Sequence, residues 1–221
     1  MRRQSTFAGL KNCITMKYPP VLFAILFVQT VFAQTADTAY AAEIARHRQT
    51  YKEHFITESR SPLTESDTAL LDFFSPDATW RVQAKFERTA DTKPFDMPTY
   101  SGRSAQYQQY GILTFEKDGK KYSLRIYQNL RLMASQKYFD YLFLPFKDLS
   151  NDVTTYGGGR YLDFKTGDIS AENVLIIDFN KCYNPWCAYS DGYNCPIPPA
   201  DNHLEVSVEA GEKNFKGEKK H

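Results

Sequence analysis

Tyr40, Ile44, His47, Tyr51 and Phe55 recur in steps of three and four across residues 36–58. That spacing draws one stripe down an α-helix, with Arg46, Arg48, Lys52 and Glu53 on the other side and Pro62 placed to stop it. Thr64 with Asp67 three residues on resembles a capping box, opening a short helix through Leu70, Leu71 and Phe74. From Thr79 the period changes to two. Trp80-Arg81-Val82-Gln83-Ala84-Lys85-Phe86-Glu87 alternates as a half-buried strand does. Gly111–Glu116 and Lys121–Tyr127 flank Lys117-Asp118-Gly119-Lys120, and Asp-Gly suits a tight hairpin turn because both central residues need positive φ. Further strands are predicted at Tyr141–Phe146, Arg160–Phe164, Asn173–Phe179 and His203–Glu209. Val174–Ile177 is a continuous apolar run, so that strand reads as buried on both faces. Together these elements predict a mainly β (α+β) domain: an antiparallel β-sandwich or open barrel with N-terminal helices packed against it.

The first 33 residues follow a different pattern. Arg2, Arg3, Lys11 and Lys17 make a basic start without an acidic residue, Pro19–Val28 is uncharged and apolar, and Val31-Phe32-Ala33 ends the run. This is the layout of a signal peptide cut after Ala33, with Met16 as an alternative start. Val21–Ala33 is shorter than the about 20 apolar residues a membrane span needs. Cys13 precedes the apolar run, which disfavours a lipid-anchored terminus. The expected organisation is a leader over 1–33, one β-rich domain over 34–213 and a solvated polar tail over 214–221. The protein would act in the periplasm or outside the cell, with no membrane span left after cleavage.

Charge then limits the partners. The whole chain carries 27 basic and 26 acidic residues; without the leader's four basic residues the net is −3. No basic stripe remains to follow a phosphate backbone, so nucleic acid is not an expected partner. Aromatic residues make up 15% of the chain, which suits pleated, half-buried surfaces.

Two segments hold the candidate chemistry. In Asp152–Phe164, Gly157, Gly158 and Gly159 could turn backbone N–H groups towards an anion, with Arg160 as its clamp. No Gly-Lys-Ser/Thr follows, so this is not a P-loop. The competing explanation is a glycine turn or bulge, with Arg160 paired to Asp163 or Asp178. The second segment is an aperiodic, proline-rich loop over residues 180–202, holding Pro185, Pro196, Pro198 and Pro199. Cys182, Cys187 and Cys195 lie there, and a disulfide between Cys187 and Cys195 would close a small loop in an oxidising compartment. A metal site with His203 is a weaker alternative because no Cys-x-x-Cys spacing is present, and a thiol nucleophile with His203 as base is weaker still because the sequence does not show the two to be close. His47 reads as a histidine at the core boundary, and His54 and His221 as exposed. Asp163, Asp178 and Asp191 could furnish a carboxylate pair or simply cap turns. Gly-x-Ser-x-Gly and His-Glu-x-x-His are absent.

Read in order, Phe146-Lys147-Asp148, Thr155-Tyr156-Gly157-Gly158-Gly159-Arg160-Tyr161-Leu162-Asp163, Asp178-Phe179-Asn180, Tyr183-Asn184-Pro185, Cys187-Ala188-Tyr189, Cys195-Pro196, Pro198-Pro199 and Ala210-Gly211-Glu212-Lys213 form a long motif set. The chain resembles the bacterial and archaeal family known as domain of unknown function 1684, over roughly residues 40–213. Ser61-Pro62-Leu63 and the Tyr110-Gly111 strand fit its N-terminal half. The resemblance implies no activity. Against the family pattern, Cys182 replaces a small residue and His203 an arginine, which weakens a catalytic or metal role for either and makes Cys182 the spare thiol.

The expected function is an exported binding domain for a small polar or anionic ligand, held between the Gly157–Gly159 loop and the Cys182–Cys195 loop. Tyr156, Gly157, Gly158, Arg160, Tyr161, Asp163, Asp178, Asn180, Tyr183 and Asn184 are its candidate ligand contacts, with Trp186 as added stacking surface. No cofactor or metal is called for. One alternative is a hydrolase-type enzyme using Asp163 or Asp178 as base in that cleft. The other is a structural or partner-binding module with no pocket between the loops.

Overall fold

The computed structural model describes the backbone of residues 21–221 and the side chains of residues 37–221. The predicted leader over 1–33 and its cleavage point lie outside the residues whose side chains are described. Ala39–His221 form one compact unit, and every contact discussed below lies within it.

α1 spans Val21–Thr57, so it covers the helix expected over residues 36–58. Its stripe is used as the spacing predicts at Ile44 and Phe55, which are buried, while His47 faces solvent. The capping pair forms, with Thr64 N donating to Asp67 Oδ2 at 2.8 Å. It opens only a 3-10 turn over Asp67–Leu70, not a helix through Phe74.

Seven antiparallel strands follow: β1 (Arg81–Arg88), β2 (Phe95–Pro98), β3 (Ser104–Lys117), β4 (Lys120–Asn129), β5 (Tyr141–Phe146), β6 (Arg160–Lys165) and β7 (Val174–Asp178). A four-residue helix, α2 (Leu130–Met133), separates β4 from β5. The sheet order is β6-β5-β4-β3-β1-β7, with β2 added to β3. It curls into a half-barrel, the open-barrel form of the expected fold, with α1 against it. The β3–β4 hairpin turns at Asp118 and Gly119, whose φ values of 52° and 74° are those the Asp-Gly pair supplies cheaply.

β1 alternates as its sequence does: Val82, Ala84 and Phe86 are buried, while Arg81, Gln83 and Lys85 are exposed. They join Leu113, Leu124, Ile126, Leu142, Leu144, Leu175, Ile177 and Phe179 in the main core. Burial of each large aliphatic chain stabilises the fold by about 1.5–3 kcal/mol. A second cluster of Met97, Tyr107, Tyr127, Phe143 and Tyr161 packs separately. A third, Phe55, Leu63, Leu71 and Tyr189, ties α1 to the cysteine loop.

Two expectations need correction. Residues 203–209 form no strand beyond a single parallel bridge of His203 to Lys147, because the pairing is not continued: Val208 N donates to the side chain of Asp148. β7 is not buried on both faces, since Ile176 is 38% exposed between buried Leu175 and Ile177. The 214–221 segment is mostly exposed, and some of its groups are tied to the body. Lys220 N donates to Tyr189 O, Asp191 N donates to Lys220 O, and Phe215 packs edge-on to Tyr189.

Candidate functional site

β6 and β7 end the sheet order and do not pair with each other. Beside them lies a recess of about 740 Å³, walled by Leu162, Asp163 and Phe164 of β6, Leu175 and Ile176 of β7, and His47, Thr50, Tyr51 and His54 of α1. Arg81, Asp178, Lys181, Tyr183 and Trp186 complete the parts used below. Ile176, the residue that breaks the buried run of β7, thus has a place on this wall.

Asp163 is the chemical centre. Alternation along β6 turns it away from its buried neighbour Leu162 and leaves it in contact with solvent. Tyr141 donates its hydroxyl to Oδ1 at 2.6 Å, and Tyr183 donates to Oδ2 at 2.7 Å. Among the described residues the carboxylate makes these two hydrogen bonds and no ion pair. Crowding by the recess walls partly desolvates it and pushes its carboxyl up from its ordinary value, against the two hydroxyls that favour the charged form.

Asp178 stands elsewhere on the same recess, only 6% exposed. Its Oδ1 accepts from the Tyr40 hydroxyl at 2.9 Å and from Asn180 N at 3.1 Å. Its Oδ2 accepts no hydrogen bond; the nearest cation, Lys181 Nζ, is 3.8 Å away and is also 2.6 Å from Glu43. Arg81 lies over the Tyr40 ring at 5.9 Å.

Behind the wall sits a buried carboxyl that sequence reasoning did not single out. Glu212 is fully buried. Its Oε2 accepts from Asn184 N at 2.9 Å and lies 3.0 Å from the Tyr51 hydroxyl, while Tyr189 donates to Oε1 at 2.6 Å. The two tyrosine hydroxyls are themselves 2.9 Å apart. Burial pushes the Glu212 carboxyl up to about 7, against these donors. Gly211, at φ +75°, lets the chain pass close to Phe179 O and the Cys182 thiol just before this residue. Tyr51 belongs at once to this triangle and to the recess, where its ring lies 5.8 Å from that of Tyr183. The Tyr51 stripe position and the Ala-Gly-Glu-Lys motif were visible as patterns, but only the fold brings them together.

Of the ten predicted contacts, Asp163, Asp178 and Tyr183 line the recess. Arg160 does not reach it. Its side chain has no solvent exposure, and its guanidinium is spent on Asp148, Val208 O, Ala210 O and Glu212 O. Arg160 therefore has no free face for an anion, and neither Asp163 nor Asp178 is its partner. Tyr161 is buried and donates to Pro196 O. Asn180 is buried, bonding Tyr40, Asp77 and Asp178. Asn184 is buried and donates to Lys213 O at 2.8 Å.

A separate cleft of about 520 Å³ does lie between the glycine and cysteine loops, lined by Tyr156, Cys187, Asp191, Asn194, Arg103 and Lys219 among others. Tyr156 alone of the ten lines it. A Cβ at Gly157 would strike the Asp152 carboxylate, and one at Gly158 would strike Tyr100 and Tyr156. The glycines thus serve close packing of the loop. Cys187 and Cys195 form a disulfide, and Cys182 is a buried free thiol pushed up to about 11 by burial. None of the three offers a thiolate to a metal or substrate. Among the described residues no group of three or more His, Cys, Asp or Glu is arranged to hold a metal ion. Nor, among them, is any helix long and apolar enough to cross a membrane.

The family described as "Protein of unknown function (DUF1684)" matches residues 67–213. A solution NMR structure of an uncharacterized protein from Haloarcula marismortui is similar, at 30% identity over 81% of this chain and 96% of that one, with a TM-score of 0.62. No curated protein matches.

Proposed function

The chain belongs to the DUF1684 family, and we propose that it is an exported binding domain that takes a small polar ligand in the recess between β6, β7 and α1. One observation carries this reading: the Asp163 carboxylate is held by two tyrosine hydroxyls, without a cation among the described residues, on the wall of a recess of about 740 Å³. Ligand pockets typically hold 300–1,000 Å³, with apolar and aromatic walls and a few placed polar groups. Here Trp186, Tyr51, Phe164 and Leu175 supply the walls, and Asp163, Asp178, Arg81 and Lys181 the polar groups. With Arg160 withdrawn into the core, Arg81 and Lys181 are the arginine and lysine of this wall, and Lys181 is already paired with Glu43. Export is supported by the basic-then-apolar start of the chain and by the Cys187–Cys195 disulfide, a bond that lasts in oxidising compartments.

Ligand-observed NMR with a library of small polar molecules tests the site. Ile176→Trp fills the recess from an exposed strand position. Hits lost in that variant support the reading; hits that bind both proteins equally place binding elsewhere and sink it.

A second reading makes Asp163 a general base in a hydrolase-type reaction, favoured by its raised carboxyl in a recess. Asp178 is less suited, because its Oδ1 already accepts from Tyr40 and Asn180. Unchanged turnover of an identified substrate by Asp163→Asn would exclude this role.

A further inference from the structure

The chemistry of the recess says more about its ligand. Three carboxylates line it, those of Asp163, Asp168 and Asp178, against the cations Arg81 and Lys181 and the histidines His47 and His54. Lys181 is already shared between Glu43 at 2.6 Å and Asp178 at 3.8 Å. Asp163 has hydroxyl donors but no counter-cation among the described residues. Asp178, 6% exposed, keeps one oxygen without a hydrogen bond. Asp163 thus stands on the wall without a charge partner among the described residues, and Asp178 on the same recess has an unfilled acceptor oxygen; a bound cation supplies what each lacks.

The surfaces beside Asp163 are those a cation prefers. Tyr183, which holds its Oδ2, lies with its ring 5.8 Å from Tyr51, and Trp186 lines the same recess. Aromatic faces attract ammonium groups, and more strongly where water is excluded. An anion would meet the Asp163 carboxylate instead.

We propose that the ligand is a small organic cation, an amine whose ammonium group pairs with Asp163 and lies against the rings of Tyr183 and Tyr51. This rests on the recess being a binding site, and it names the chemistry that Asp163 selects. The apolar remainder of the molecule would lie along Phe164, Leu175 and Ile176.

Three size-matched probes separate the two claims: phenethylamine, phenethyl alcohol and phenylacetate. Each is titrated into the full chain and followed by backbone amide NMR shifts of recess residues and by tryptophan fluorescence. The expected result is saturable binding of the amine at the recess, at least tenfold tighter than either other probe, and at least tenfold weakened by Asp163→Asn. Recess binding led by the alcohol or the carboxylate overturns the amine assignment and leaves the binding site standing. Shifts in the recess from none of the three overturn both. Equal amine binding by wild type and Asp163→Asn overturns the pairing. If Asp163→Asn does not fold, the wild-type preference decides: tenfold or more for amine over alcohol keeps the proposal, and anything smaller overturns it.

Discussion

Arg160 and Asp148 form an ion pair in which neither side chain has any contact with solvent, Nη2 standing 2.8 Å from Oδ2. Around it the guanidinium donates to Val208 O at 2.8 Å, Ala210 O at 2.5 Å and Glu212 O at 3.1 Å, so one side chain fastens the 208–212 segment to β6. Removing Arg160 strands a buried carboxylate and three carbonyls together. Loss of one partner from a buried pair typically costs 3–5 kcal/mol. Arg160→Ala is expected to lower the urea midpoint steeply or prevent folding, and Arg160→Lys to rescue little, because one ammonium cannot span this fork. A variant within 1 kcal/mol of wild type in urea unfolding would refute the role.

Gly159 shows why the neighbouring glycines are there. Its φ is +87°, and a Cβ would come 2.5 Å from Phe146 O and 2.8 Å from the ring of Pro198. Gly159→Ala therefore meets both backbone strain and a carbonyl that cannot step aside. The expected loss is about 2 kcal/mol or more, read from urea denaturation. A loss below 0.5 kcal/mol would mean that the loop relaxes freely.

Periodicity carried the strand-rich body of this protein well. The alternation of β1, the Asp-Gly hairpin and β5 at Tyr141–Phe146 all stand where local pattern placed them: β1 because its own alternation decides which face is buried, and β5 because a run of apolar residues goes to the interior. Pattern failed where long-range bonds decide. Residues 203–209 have strand-like spacing, yet beyond the bridge of His203 to Lys147 the pairing is not continued, and the Asp148 side chain takes the Val208 N–H. Arg160 fell into the same gap. Its type and its glycine neighbours suggest an anion clamp, and only the fold supplies the carboxylate and carbonyls that use it up. Asp163 and Tyr183 were legible as candidates, but Tyr51 and Glu212 lie 161 positions apart and meet only through packing.

The disulfide closes a loop with a sequence separation of 8 between Cys187 and Cys195, and it flanks Trp186 of the recess. Chain-entropy arguments give a stabilisation of about 2–3 kcal/mol for so short a loop. Cys187→Ser with Cys195→Ser is expected to lower stability by that amount. Alkylation followed by peptide mapping should label neither cysteine without reductant. Cys182, buried and with its thiol pushed up to about 11, should be labelled only after denaturation. Rapid labelling of native Cys182 would contradict its placement.

The triangle of Glu212, Tyr51 and Tyr189 makes the sharpest pH prediction. Its three edges, 3.0, 2.9 and 2.6 Å, need one proton each. The two hydroxyls supply two, so an ionised Glu212 leaves one edge without a proton, while a neutral carboxylic acid supplies the third. Burial acts the same way, holding the carboxyl near 7 against an ordinary 4.5. Between those values the folded chain binds a proton that the unfolded chain has released. The resulting stability is complete below about pH 4.5 and is lost as pH rises through 7, by on the order of 3 kcal/mol at most. Asp163 adds a slope of the same sign, and His47, whose value is lowered mainly by partial desolvation where it lines the recess, adds one of opposite sign below its ordinary 6.5. Glu212→Gln separates the contributions. Its amide can donate to the Tyr189 oxygen, Tyr189 to Tyr51, and Tyr51 to the remaining glutamine oxygen, closing the same ring at every pH. Urea unfolding at pH 5 and pH 8 should show wild type falling relative to Glu212→Gln as pH rises. A constant difference between the two proteins would mean that Glu212 is already ionised at pH 5.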